Sequence, residues 1–274
     1  MNILVNNKIY EKNVFGKALF EVGQLYDNVV VIDADLSRAT QTDLFLNNFP
    51  DRYFNVGIAE QNMICVAAGL ATSGKIPFAG TFANFITKRA CDQINISVAY
   101  PCLNVNIVGI EPGLSSGRNG ATHQAVDDIA IMRAIPNMTV IDPADAVEIY
   151  QAVIAAAEYD KPVYLRMQRG KIPVLFDENY YRFKIGKAVN IFTGKDVTII
   201  STGIMTEIAI NAVRRLKELK INAGLLHMPT IKPCDKEAIL KVAKQSNALH
   251  HLQDKHIYAF LIYQFLLLKP FRLQ

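Results

Sequence analysis

"FNVGIAEQNM", Phe54 to Met63, opens with a strand-like tripeptide, turns on Gly57, and sets a carboxylate, Glu60, just ahead of the apolar run Met63–Ala68. Strand, tight turn and helix in so few residues point to an α/β chain. An acidic residue in the first turn of a helix is stabilised by the exposed N–H groups and the positive end of the helix dipole, worth only ~0.3–1 kcal/mol at the surface. Capping alone is therefore a weak reason for Glu60, and the rest of the chain has to decide its role. Outward from it, "NVVVIDAD" (Asn28–Asp35), "IPFAGTF" (Ile76–Phe82), "LNVNIVGI" (Leu103–Ile110) and "NMTVIDP" (Asn137–Pro143) are runs of branched apolar residues bounded by Pro, Gly, Asn or Asp. Runs of this kind suit strands buried on both faces, as in a parallel sheet. Helical patterns at Val14–Leu25, Ala59–Thr72, Lys88–Ala99 and Ala144–Glu158 lie between or beside them, the last with Asp145 and Glu148 in its first turn. The expected fold is α/β with mainly parallel sheets.

A second α/β unit is expected beyond "GKIPVLFDENYYRF" (Gly170–Phe183), which lacks a helical period and reads as a linker laid across a surface. "DVTIISTG" (Asp196–Gly203) reads as a strand, and Met205–Lys220 as an amphipathic helix with Ile208, Ala212, Leu216 and Leu219 at helical spacing. The boundary is drawn between residues 1–180 and 181–274. After about residue 246 the pattern fails, so the second domain is expected to be irregular or truncated there. Its last apolar run, Ile257–Leu268, spans 12 residues, against the ~20 that a membrane-crossing helix needs. No membrane anchor is expected.

Hydrophobic residues make up 51% and charged residues 20% of the 274, the composition of a packed globular protein. The 29 basic and 25 acidic residues are scattered, which gives no reason to expect nucleic acid. Cys65, Cys91, Cys102 and Cys234 form no C-x-x-C pair, so neither zinc nor a redox couple is expected. The start, "MNILVNNKIYEK", has too short an apolar stretch for a signal peptide, and a reducing cytoplasm is the simplest compartment.

Six motifs in order, "DADLS", "RYFNVGIAEQNM", "GTFANF", "RACDQI", "GATHQ" and "AIMRAIPNMTVIDPADAVE", resemble the C-terminal half of the transketolases. That half holds the pyrimidine-binding domain and the C-terminal domain of a thiamine-diphosphate enzyme. The resemblance runs from about Asn13 to about Ser246 and is nearest to the split transketolases, whose diphosphate-binding half is a separate polypeptide. It implies a thiamine diphosphate cofactor, with Mg²⁺ ligands on that N-terminal partner subunit and none here. It further implies a homodimer of this chain within a heterotetramer, and transfer of a two-carbon ketol unit between phosphorylated sugars.

Residue by residue, the resemblance implies that Glu60 hydrogen-bonds the cofactor's aminopyrimidine and activates it, a task that desolvation of the carboxylate would serve. Phe82 and Phe85 would wall the pyrimidine, Ile58 would pack near the ring, and Asp35 would lie close to the cofactor at the subunit seam. Arg89 matches an arginine of related subgroups at the same pocket, and Lys88 stands where several relatives carry a third aromatic. His123 matches a histidine that contacts the sugar, and Arg169 an arginine that grips its phosphate, a role suited to guanidinium geometry. Two positions depart from the family: Glu111 replaces a substrate-binding histidine, and Asn119 an aspartate that reads a sugar hydroxyl. Exchanging an acceptor-only carboxylate for an amide implies a changed sugar preference. Taken without the resemblance, each residue has a plainer reading: core aromatics, a solvated loop histidine, a turn aspartate and a surface arginine.

Two further functional readings share these features. A 1-deoxyxylulose-5-phosphate synthase-like or 2-oxoacid dehydrogenase β-like subunit would keep the fold and Glu60 but differ in the substrate loop. A non-catalytic subunit that only stabilises a partner would explain Lys88, Glu111 and Asn119 but not the retention of Glu60, Phe82, Phe85 and His123.

Overall fold

Alternate residues of the same strands face two different cores, which is why the apolar runs are continuous. In the computed structural model, which describes residues 10, 11, 13–114, 116–168 and 170–253, Val29, Val31, Phe78, Val108 and Leu165 point to one side of a sheet. Val30, Ile32, Ala79, Ile107 and Tyr164 point to the other. The first side is covered by the helices Val14–Leu25 and Ala146–Ala157, through Phe15, Leu19, Ile149 and Val153. The second is covered by the helix Glu60–Thr72, through Met63, Ile64 and Ala67, and by Ile86 and Ile94 of the segments that follow. Burying a large aliphatic side chain contributes about 1.5–3 kcal/mol, so two such layers dominate the stability of this unit.

The sheet has seven strands in the order Thr230–Lys232, Thr139–Ile141, Val163–Met167, Asn106–Ile110, Ile76–Phe82, Val29–Asp33 and Tyr53–Asn55. All neighbours are parallel except Thr230–Lys232, which pairs antiparallel with Thr139–Ile141. A second sheet runs Ala248–Leu252, Val197–Ser201, Ala223–His227 and Val189–Phe192, with the first three parallel and the last antiparallel. The mainly parallel α/β reading therefore holds for both units. Strand Thr230–Lys232 follows the strand Ala223–His227 of the second sheet but completes the edge of the first, so the two units interlock.

Three local expectations change. Gly170–Phe183 is not a surface linker: Leu175, Phe176, Tyr181 and Phe183 are buried in the first core. The backbone N–H groups of Leu175 and Phe176 donate to Asp145 Oδ2 at 2.7 and 2.8 Å, a staple that leaves no periodic trace in the sequence. The helix expected over Lys88–Ala99 begins at Ala83, breaks at Ala90, and ends in a π-helical turn, Ile94–Ala99. Regular structure also outlasts residue 246. Ala248–Leu252 pairs in register with Val197–Ser201 as an edge strand whose residues are only partly buried, the reason its sequence lacks an apolar run. The remainder of the expected irregular tail, residues 254–274, lies outside the described residues.

Two buried polar clusters join the units. Asp145 caps the helix Ala146–Ala157 by accepting from Glu148 N, and Glu148 Oε2 in return accepts from Ala144 N at 2.7 Å, a reciprocal capping arrangement. The same Glu148 carboxylate accepts from Tyr181 Oη and meets His227 Nε2 at 2.8 Å, and His227 Nδ1 in turn meets Thr206 Oγ1 at 2.8 Å. In the second cluster Arg166, fully buried in the strand Val163–Met167, reaches Asp128 Oδ2 at 2.8 Å and Asp142 Oδ1 at 3.4 Å. Burial works against the guanidinium charge, but Asp128 and Asp142 outweigh it and hold the group above its ordinary range. Tyr164 Oη donates to Asp128 through space left by Gly109, where a Cβ would stand 2.4 Å from that oxygen. Thr202 of the second unit donates to Asp142 Oδ2 at 3.2 Å.

Arg166→Met would leave both carboxylates buried without their cation. Breaking a buried pair by removing one partner costs about 3–5 kcal/mol, and equilibrium denaturation of the variant is expected to show a loss of that size, with the transition of the second unit no longer coincident with that of the first.

Candidate active site

The carboxyl ends of the parallel strands are level with one another: Asp33 pairs with Asn55 and Gly80, Phe82 with Ile110, and Ile110 with Met167. Ligands of open parallel sheets sit in the crevice outside these ends. Asp35, Ile58, Phe82, Phe85 and Glu111 lie within three positions of a strand end, Glu60 and Arg89 sit in the helices that follow, and Asn119 and His123 lie farther out in the loop that follows Ile110.

Glu60 is the first residue of its helix. The N-cap, Ala59, offers no side-chain cap, and the Glu60 carboxylate, 5% exposed, pairs with Arg89 instead (Nη1 to Oε1, 3.1 Å). Glu60 is thus not acting as a helix cap. Arg89, the last residue of the helix Ala83–Arg89, lays its guanidinium over the Phe85 ring, 4.0 Å from the centroid. Phe85 stands edge-on to Phe82, with centroids 5.8 Å apart. The His123 ring closes the group at 4.9 Å from Phe85 and 5.5 Å from Phe82, and its Nδ1 lies 3.0 Å from Thr122 Oγ1. Folding therefore brings Glu60, Phe82, Phe85, Arg89 and His123 into one set.

Glu111 and Asn119 form a second pair, Asn119 Nδ2 donating to Glu111 Oε2 at 3.4 Å. Glu111 is buried and follows directly on Ile110, the register partner of Phe82. Asp35 is exposed and accepts from Asn55 Nδ2 at 3.0 Å, while Asn55 Oδ1 accepts from Gly57 N, so Asp35 is tied to the turn that leads into Glu60. Ile58 lies in that turn with 77% of its surface exposed. Arg169 lies outside the described residues.

Backbone conformation adds what the motifs did not show. Asp35 and Glu111 both adopt left-handed φ values, 65° and 56°. For a glutamate this is uncommon and costs on the order of 1–2 kcal/mol, a strain that clusters at functional loops. Two supporting residues, Asp33 and Asn84, were also missed. Asp33 is buried and accepts from Leu36 N, Thr40 Oγ1 and Thr42 Oγ1, which shapes the loop carrying Asp35. Burial pushes the Asp33 carboxyl upward and these bonds oppose it. The density of hydroxyls after "DAD" was the available signal. Asn84 Nδ2 donates to the Thr122 carbonyl and thereby fastens the His123 loop to the phenylalanine helix. Lys88 adds a strap to the same loop, Nζ to Asp127 Oδ1 at 3.1 Å, instead of a wall to the pocket. Among the described residues no group of three or more His, Cys, Asp or Glu side chains is placed to hold a metal ion, and no helix is long and apolar enough to cross a membrane.

Residues 8–174 match the model of the transketolase pyrimidine-binding domain and residues 186–259 that of the transketolase C-terminal domain. The chain belongs to the transketolase family. It is 49% identical over 228 residues to a putative transketolase C-terminal section of Methanocaldococcus jannaschii, covering 83% of this chain and 72% of that one. A 6-deoxy-6-sulfo-D-fructose transketolase subunit of a Clostridium species is 42% identical, with coverages of 87% and 74%. A solved split-gene transketolase, described as an inactive β4 tetramer, superposes with a TM-score of 0.82 at 43% identity and covers 91% of this chain and 81% of its own. Against human transketolase, 35% identical, the chain spans 41% of the length. It corresponds to the C-terminal half of a split transketolase.

Asn84→Ala removes the fastening of the His123 loop without touching the core. Hydrogen exchange of residues 119–124 is expected to quicken, while global stability falls by no more than about 1.5 kcal/mol, the typical net worth of one hydrogen bond.

Proposed function

We propose that the chain is the C-terminal subunit of a two-subunit, thiamine-diphosphate-dependent transketolase that moves a two-carbon ketol unit between phosphorylated sugars. The observation that carries this reading is Glu60: a buried carboxylate just past a strand end, joined through Arg89 to a cluster of two phenylalanines and a histidine, that does not cap its helix. The donor set suits an aminopyrimidine, which needs an acid group facing a ring nitrogen and apolar faces to stack on. When bound, thiamine diphosphate would supply the carbon nucleophile that ketol transfer requires.

In this reading Glu60 shares a proton with the ring nitrogen, and its seclusion from water keeps that proton from being lost to solvent. Phe82 and Phe85 orient the ring, with Ile58 and Asp35 at the mouth of the pocket where another subunit closes over it. His123 holds the sugar's hydroxyl and carbonyl oxygens, and Arg169 grips its phosphate. Glu111 and Asn119, joined to each other, read the hydroxyl pattern beyond the reacting carbon. That joined pair supports a sugar preference of its own, a reading in keeping with relatives named for 6-deoxy-6-sulfo-D-fructose and for apulose 4-phosphate.

The diphosphate and Mg²⁺ ligands belong in this reading to an N-terminal partner subunit, with two copies of this chain in a heterotetramer. Exposed Phe54 and Ile58 beside the crevice suit such a seam, and the inactive β4 tetramer of the split-gene relative supports inactivity without a partner. Four unpaired cysteines suit a cytoplasmic setting.

Calorimetry of the isolated chain with thiamine diphosphate and Mg²⁺ is expected to show weak binding and no ketol transfer, both restored on co-expression with a diphosphate-binding subunit. Tight binding by the chain alone would contradict the divided site. In the assembled complex, Glu60→Gln is expected to preserve assembly and cofactor loading but lower turnover by about 10²–10⁴-fold, the usual contribution of an acid–base group. Near-normal turnover would remove Glu60 from the chemistry.

A further inference from the structure

Arg89 makes, within this chain, the two contacts that a flat nitrogen heterocycle would make on entering the pocket. Its guanidinium is planar and delocalised, donates an N–H to Glu60 Oε1 at 3.1 Å, and lies 4.0 Å from the Phe85 centroid. A second flat ring cannot stack on the ring face that the guanidinium covers. A buried carboxylate left without a partner is also unfavourable, so Glu60 is expected to keep a hydrogen-bonding partner in every state of the protein. Arg89 can supply that partner and then leave. It is the last residue of a short helix, its side chain is 52% exposed, and rotation about its own bonds carries the guanidinium into solvent while Phe82 and Phe85 stay fixed in the helix and strand that bear them.

We propose that Arg89 is an internal occupant of the pyrimidine pocket, which holds the Glu60 carboxylate and the Phe85 face in the unloaded chain and withdraws when the cofactor ring enters. The inference rests on the thiamine-diphosphate reading above and reverses the sign expected for Arg89: the arginine competes with the cofactor instead of binding it. Apparent affinity is then reduced by the fraction of molecules in which the arginine occupies the site. A half-exposed ion pair combined with an exposed cation–π contact corresponds to roughly a three- to thirtyfold reduction.

The test is calorimetric titration of the complex, this chain with a diphosphate-binding subunit, using thiamine diphosphate and Mg²⁺. Arg89→Met, which keeps the apolar stem but loses charge and planarity, is expected to lower Kd by that three- to thirtyfold factor. Arg89→Lys, which keeps the charge without the flat fork, should fall between. In a Glu60→Gln background, where the arginine has lost its charged anchor, Arg89→Met should tighten binding less than it does beside an intact Glu60. An unchanged or raised Kd for Arg89→Met overturns the proposal while leaving the cofactor reading intact. A complex with unaltered Arg89 that binds no thiamine diphosphate overturns both.

Discussion

The buried charge of Arg166 is the constraint around which the molecule is arranged. A guanidinium at the centre of a parallel sheet needs anions, and Asp128 and Asp142 come to it from different parts of the chain: Asp128 opens the helix that follows the His123 loop, and Asp142 directly follows the strand Thr139–Ile141. Asp142 then accepts from Thr202, and its carboxylate sits where Gly203 has no side chain, since a Cβ there would stand 2.4 Å from Oδ2. One charge thus ties the end of the His123 loop and, through Asp142 and Thr202, the second unit to the same point of the sheet. The Glu148–His227 contact is a second buried polar tie between the units, with Tyr181 as a third member.

The candidate site is held in place by this interior but does not share its character. Its members lie at strand ends, in loops and in the helices that follow the strands, and two of them, Asp35 and Glu111, occupy backbone conformations that side-chain-bearing residues seldom adopt. Such local strain persists only when the surroundings over-determine it. Here Asp33 braces one loop with three accepted hydrogen bonds, and Asn84 with Lys88 fastens the other. The candidate site is consequently built from side chains whose neighbours are fixed, the condition under which a site can hold a ligand in one orientation.

Much of this was legible in the amino-acid order. Continuous apolar runs gave the strands, and Ile76–Phe82 matches its reading at both ends because a strand buried on both faces leaves a mark at every residue. Glu60, Phe82, Phe85 and His123 were singled out through motif context, and the fold gathers them around Arg89 and one another. The edge strand Ala248–Leu252 was not found, because half-exposed positions accept polar residues such as His250 and no run results. The segment Gly170–Phe183 was misread for a related reason: its burial follows from bonds to Asp145, whose partners are backbone groups and carry no residue signature.

By itself, then, the sequence determined the class of fold, the chain's membership in the transketolase family and the residue types at the crevice, since these depend on local periodicity and on motifs read in order. The tertiary structure alone decided who meets whom. That Glu60 faces Arg89 across 29 positions, that Lys88 reaches a loop instead of a pocket, and that a strand of the second unit completes the first sheet are all consequences of long-range packing. The contact partners of a side chain are set by which elements the core brings together, and a one-dimensional pattern contains the apolar faces that drive this packing but not the geometry in which they finally meet.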